Sequence, residues 1–462
     1  MATIYPVAES NPFERRESLQ RRAAKFFAAL LAPALLAALF CFASAQGAEA
    51  GGPSARVIPS SEPGWPQFRG PRRDGTCDET GLLRQWPEGG PKLLWRAGGL
   101  GFGYSSPIIS GGRIYITGDQ EKELRIFALD MQGRHLWRSA NGQYWKEPYP
   151  GARSSVAFSG GKIYSLNAHG RLACLDAHSG KEIWQMNILE RFGAKNIEWG
   201  ISECLLVDER NVYATAGGRE ALFVALDKAT GKLRWKSDPL YDTEGERDLE
   251  SASYVAPVLV EFAGRRLLLG CSARHLVCAD AHTGRIQWAR RIPTTYLTLA
   301  CSPALVGRDC IFMTGPVGQG GKLFRLLPPR GDKEPVGAEE VWRTRLDTAH
   351  GGFIYLDGRI YGSLYPDRKG WAAVDGATGE ILFTEPSYVK GSFIWADGRF
   401  YVLCEDGLAL LLEPAQKSFV ERGRFRLVEG RARDAWAHPV IHDGRLYLRY
   451  HDTLYCYDIR AR

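Results

Sequence analysis

The chain has 462 residues, 45% hydrophobic and 24% charged, which are proportions of a folded globular protein and exclude a disordered one. Its net charge of +7 is weak for this length and dispersed along it, which argues against nucleic acid as a partner. The 52 glycines and 13 tryptophans predict many tight turns and repeated aromatic anchors.

Arg15, Arg16, Arg21, Arg22 and Lys25 precede an uncharged apolar run, Phe26–Phe42, and then Ala43-Ser44-Ala45. That order predicts a signal peptide over 1–45, with small residues at its cleavage site and export to the periplasm or beyond. An uncleaved anchor is the alternative reading of the same run; after cleavage no segment long enough to cross a membrane remains. Residues 46–90 read as an extended arm. Of the 10 cysteines, Cys41 lies in the leader, and the rest show no CxxC and no adjacent pair, so a disulfide framework is not expected.

From residue 91 the chain repeats itself. "CLDAHSGKEIW" at Cys174–Trp184, "ALDKATGKLRW" at Ala225–Trp235 and "CADAHTGRIQW" at Cys278–Trp288 recur about fifty residues apart. "ALDMQGRHLW" and "AAVDGATGEILF" are further copies. Each copy follows short alternating runs such as "GRIYITG", bounded by "SGG", "DGR" or "EDG" turns, which gives four strands per unit. A period of 40–55 residues with four strands is that of a β-propeller. Seven whole units can be counted, the fifth and seventh degenerate. The last unit, "AHPVIHDGRLYLRYHDTLYCYDIRAR", has three strands, and "PKLLWRAGG" at Pro91–Gly99 supplies the fourth. The expectation is an all-β, eight-bladed propeller of four-stranded blades over 91–462, its last blade closed by an N-terminal strand.

The repeated motif reads as architecture. Asp130, Asp176, Asp227, Asp280 and Asp375 are placed to accept backbone N–H groups across the turn between the third and fourth strands. Gly231, Gly284 and Gly379 suit the left-handed position there. Trp137, Trp184, Trp235 and Trp288 then reach into the seam between blades. A catalytic residue is needed once, whereas these recur in blade after blade. Cys174, Cys278 and Cys456 share one strand position and read as small buried residues.

The pattern A-x-D-x-x-T-G-x-x-x-W resembles the tryptophan-docking motif of the PQQ-like (quinoprotein-type) propeller family, over roughly residues 91–461. "WPQFRGPRRDG" at Trp65–Gly75 is similar to the opening of secreted members of planctomycete type. The resemblance implies either of two activities. Non-catalytic members, among them the outer-membrane protein assembly lipoprotein, bind or scaffold other proteins. The dehydrogenases hold pyrroloquinoline quinone (PQQ) and Ca²⁺ at the axis, and many stack the quinone on a disulfide of adjacent cysteines, which this chain lacks. The expectation is a monomeric binding or scaffolding propeller without cofactor or metal, its partners envelope proteins or extracellular polymer. A PQQ- and calcium-dependent oxidoreductase of alcohols or sugars is the alternative, and a sugar-directed hydrolase or lyase using Glu203 or Glu250 is a further one.

Segments entering the first strand of each blade converge at one end of the axis, where a ligand site is expected. They carry Tyr104, Trp145, Arg153, Trp199, Glu203, Glu250, Tyr254, Tyr296, His350, Lys390, Trp436 and His438. Aromatic rings mixed with single polar groups suit a sugar, a quinone or a peptide. Packing of the ring and capping of its loops is the other role open to each of them. No catalytic residue can be assigned.

Overall fold

The computed structural model describes residues 52–461 apart from 147, 243, 245, 246, 366–369, 431 and 432. The leader expected over 1–45 lies outside the described residues. Eight antiparallel sheets follow one another along the chain. Blade one comprises Ile108–Ser110, Arg113–Gln120, Glu123–Asp130 and His135–Gln143. Blades two to seven begin at Ala157, Leu206, Val258, Ala304, Phe353 and Gly391. In blade eight, Val440–His442, Arg445–Tyr450 and Thr453–Asp458 are completed by Lys92–Ala97, which pairs antiparallel with Thr453–Asp458. The only described α-helix is a single turn, Ile188–Arg191.

Each turn between third and fourth strands is built as its residues require. Asp227 Oδ1 accepts from the N–H groups of Ala229 and Thr230 and from the Thr230 hydroxyl. Asp280 repeats this with His282 and Thr283, and Asp375 with Ala377 and Thr378. Asp130 takes the N–H groups of Gln132 and Arg134, and Asp176 the N–H and the hydroxyl of Ser179. The Ser179 hydroxyl holds Asp176, and the Thr378 N–H holds Asp375, below the usual carboxylate range. Where the outer strand begins, every blade carries a register shift, which twists the unpaired outer edge.

In five blades the tryptophan after the turn docks on the next blade's turn; Phe383 and Gly423 hold that position in blades six and seven. Trp184 Nε1 donates to Lys228 O at 3.1 Å, and its ring lies where a Cβ on Gly231 would come within 2.7 Å. Trp137 donates to Ala177 O over Gly180, Trp235 to Ala281 O over Gly284, and Trp342 to Gly376 O over Gly379. Trp95 of the closing strand donates to Met131 O over Gly133, carrying the series across the ring closure. A small residue opposes most of these indoles; Cys174, Cys278 and Cys456 face Trp184, Trp288 and Trp95 and are buried free thiols. Trp288 is the exception. It is 6% exposed, its Nε1 has no partner, and blade five offers a loop there instead of the Asp–Gly turn. Arg265 secures that loop by its carbonyls, those of Gly331, Asp332 and Glu334. Buried Arg449 braces the closure, donating to the carbonyls of Gly101, Ser105 and Thr117 in the segments of blade one.

The arm occupies the axial channel. Arg56–Val57 adds a fifth strand, antiparallel, inside blade four, and Thr76–Cys77 adds one, parallel, inside blade seven. Between them, Trp65 bridges Ile109 of blade one, and Pro66 O accepts from Phe158 N of blade two. Arg73 donates to Cys204 O at 2.6 Å and Leu205 O at 3.0 Å ahead of blade three, and Arg69 to Phe353 O of blade six at 2.6 Å. Ala55 bonds Arg308 O of blade five, and Glu79 takes the Asp443 and Gly444 N–H groups of blade eight. One segment thus touches all eight blades.

The indole-on-glycine contact is directly testable. Gly231 and Gly161 share a φ of +71°, but a Cβ on Gly161 would meet nothing within 4 Å. Gly161→Ala is expected to cost only the left-handed backbone term, about 1–2 kcal/mol, whereas Gly231→Ala adds overpacking of about 1–3 kcal/mol. Urea unfolding of the two variants side by side measures the difference.

Candidate functional site

The loops entering the first strands form a mouth at one end of the axis, and the arm closes the channel beneath it. Trp436 is the centre of an aromatic group. Its ring lies 4.5 Å from Tyr104 at an interplanar angle of 31°, 4.8 Å from His350 and 5.6 Å from Tyr149. Trp436 Nε1 donates to Glu405 Oε1 at 2.8 Å. The same oxygen accepts from Lys390 and lies 3.5 Å from His350 Nε2. Burial alone would raise the Glu405 carboxyl, but His350 and Lys390 outweigh it and hold it down at about 2. The Lys390 ammonium also sits 4.2 Å above the Tyr365 ring.

Across the mouth stands a second group. Arg153 stacks on Trp145 at 5.2 Å and donates to the carbonyls of Pro148 and Tyr149. Burial pulls Arg153 down to about 10, against the opposing pull of Tyr104, Asp119 and Tyr254. Trp199 N donates to the Tyr254 hydroxyl at 3.2 Å, the two rings 5.8 Å apart. Asp119, 6% exposed, is pushed up to about 7 by burial, with the Trp145 N–H and Arg153 opposing. Tyr296 stands apart, 68% exposed.

The remaining residues of the expected set do not line the mouth. Glu203 is 1% exposed; it accepts from Thr215 N at 3.0 Å, and its other oxygen has no partner. Burial pushes it up to about 7, with Arg73 of the arm opposing. His438 is buried beside Phe68 of the arm and donates from Nε2 to His350 O at 2.9 Å. Burial and Arg69 drive its pKa down to about 3, so it is neutral. Glu250 is buried in blade four, bonded to Ser272 and Arg274 and 3.4 Å from His275. Against burial, those partners lower it to about 2.

Glu405, Tyr149, Tyr365 and Asp119 belong to the mouth and were not singled out from sequence. Glu405 lies in "CEDG", a turn between second and third strands, which emerges at the same end as the segments entering the first strands. The two kinds of loop had to be read together to find it.

The arrangement does not fit PQQ with Ca²⁺. A flat tricyclic ring needs a slot, and here Tyr104, Trp436 and His350 pack on one another. A calcium ion needs six or more oxygens, yet each axial carboxylate has a cation beside it: Arg73 for Glu203, Lys390 for Glu405, Arg153 for Asp119. Among the described residues, the one group of His, Cys and acidic side chains close enough to share an ion is Asp242, Glu250 and His275. Its carboxylates are already bonded to Arg291 and Arg274.

Eight four-stranded blades sealed by tryptophan on glycine define a PQQ-like eight-bladed propeller. The chain belongs to the family described as outer membrane protein assembly factor BamB, whose profile matches residues 78–218, 121–315 and 168–421 in overlapping segments. It is 23% identical over 287 residues to the outer membrane protein assembly factor BamB of Yersinia pestis, covering 60% of this chain and 67% of that one. To the 1-butanol dehydrogenase (quinone) of Thauera butanivorans it is 28% identical over 158 residues, 31% of this chain and 23% of that one. Among solved structures, BamB from Moraxella catarrhalis superposes with a TM-score of 0.55 at 14% identity, over 80% of this chain and 98% of that one. A quinohemoprotein alcohol dehydrogenase from Pseudomonas putida gives 0.56 at 14% identity, over 86% and 80%. Both structural likenesses concern the fold.

The buried Glu203 has a sign that can be checked. Its folded pKa of about 7 lies above the unfolded value, so its contribution is full below about 4.5 and is lost as pH rises through 7. Glu203→Gln removes this dependence. Between pH 5 and pH 8 the stability of the variant relative to the wild type is expected to improve by about 2–3 kcal/mol, read from urea unfolding at both pH values.

Proposed function

We propose that this protein is a non-catalytic binding or scaffolding propeller that engages an envelope protein through its axial mouth. One observation carries the reading: the carboxylate at the mouth, Glu405, is held by Lys390, His350 and Trp436 at once. A group so committed positions side chains; it is not free to take a substrate proton or ligate a metal. The half-buried aromatic rings around it supply rigid contact area of the kind that anchors protein partners. The likeness to outer membrane protein assembly factors supports the same class of partner. A signal peptide over 1–45 and a periplasmic or secreted location belong to this reading, as does the absence of a bound cofactor. No helix among the described residues is long and apolar enough to cross a membrane.

The likeness to the quinone-dependent butanol dehydrogenase favours oxidoreductase activity as a second reading. Titration with PQQ and Ca²⁺ separates the two, followed by tryptophan fluorescence and by dye-linked oxidation of alcohols and aldose sugars. No saturable quenching and no turnover are expected. Calcium-dependent saturation accompanied by turnover would replace the binding reading with the oxidoreductase one.

A further inference from the structure

The seam between blades four and five is one of three without the indole lock that the other five carry. The indole lock is missing there, since Trp288 has no carbonyl to bond and no glycine turn to cover. A cavity of about 660 Å³ opens in that same seam, between the end of strand Ile286–Arg291 and strands Gly320–Leu327 and Gly337–Thr344. That volume is within the range of ligand pockets.

Its described lining carries Arg274, Arg290, Arg291, Lys322 and Arg343 against two carboxylates, Glu244 and Glu340. The cations are held from behind. Asp242, 5% exposed, takes Arg291 Nη1 on both its oxygens at 2.8 and 2.7 Å, and Glu250 takes Arg274 at 2.6 Å. Arg290 donates twice to Ala338 O, and Lys322 bonds Arg291 O and Glu340. Side chains fixed in this way lose little further entropy when an anion arrives. Asp242 and Glu250 partly neutralise their arginines from behind, Asp248 lies 3.7 Å from Arg274, and Glu340 bonds Arg343 as well as Lys322; the lining itself carries five cations to two carboxylates, and Arg290 is bonded to carbonyls alone. The rim is a tight turn: Tyr296 and Leu297 both have left-handed backbone, φ +57° and +56°, and Thr298 N donates to Thr295 O across them.

We infer that this cleft binds an acidic peptide segment of a partner protein, at a site separate from the axial mouth. The cations meet its carboxylates, and Pro293 and Leu297 offer aliphatic edges to the side chains between them. A sugar polymer would be read by the face of an aromatic ring; Phe324 in the lining is 1% exposed, and Tyr296 on the rim is the one exposed ring beside five cations.

The test uses the purified protein and a fluorescein-labelled peptide of alternating Glu and Leu, followed by fluorescence anisotropy. Saturable binding that weakens with added salt is expected. Arg343→Glu, at a largely exposed side chain, should weaken it about fivefold or more, and Lys322→Gln by a smaller factor. Arg134→Glu on blade one makes the same change in net charge and should leave binding as in the wild type. Equal binding of a Gln–Leu peptide, or equal weakening by Arg134→Glu and Arg343→Glu, would overturn the site. Displacement of the peptide by oligogalacturonate at lower concentration than by unlabelled peptide would overturn the choice of ligand.

Discussion

The ring stands on one contact used repeatedly, an indole laid on the glycine turn of the following blade. Its N–H reaches a carbonyl in that turn, so the polar atom is satisfied as the ring is buried. The same stroke explains three features of the repeat. Glycine is needed because any Cβ would enter the ring, aspartate because the turn must present a fixed carbonyl, and a small residue opposite because the indole needs room. The contact is absent after Trp288, after blade six, where Phe383 takes the place of the indole, and after blade seven, where Gly423 does.

The axial mouth follows a different logic. Its charged groups are paired within the protein, and its rings pack on one another. Arg69 and Arg73 hold carbonyls of the channel wall from the arm side; burial keeps His438 neutral and raises Glu203 to about 7, with Arg73 opposing the second shift. The arm closes the channel beneath the mouth, while the ring of Tyr149 stands exposed at its edge.

Blade number, strand order, ring closure by residues near Trp95 and the mechanical role of Asp227, Gly231 and Trp235 were legible in the sequence because they repeat. Repetition separates structural residues from singular ones without knowledge of contacts. The path of the arm was not legible. Trp65, Arg69 and Arg73 make singular contacts with distant carbonyls, and nothing in "WPQFRGPRRDG" has a period to read. For the site, convergence of the segments entering each blade gave Tyr104, Arg153, His350 and Trp436. It also brought in Glu203, Glu250 and His438, because loop position does not tell which way a side chain turns. Glu405 escaped because its turn looks like any other hairpin.

The arm has a consequence for the order in which the molecule can be made. It is synthesised before any blade, yet its partners are spread over the whole ring, as far as Gly444, 365 residues beyond Glu79. The strand that completes blade eight waits for the same C-terminal residues. Both pieces must stay unpaired until the last sheet exists, and long-range closure of this kind is slow. The final steps of folding therefore belong to the first residues of the propeller, which thread the hub and seal the rim once the other blades are in place.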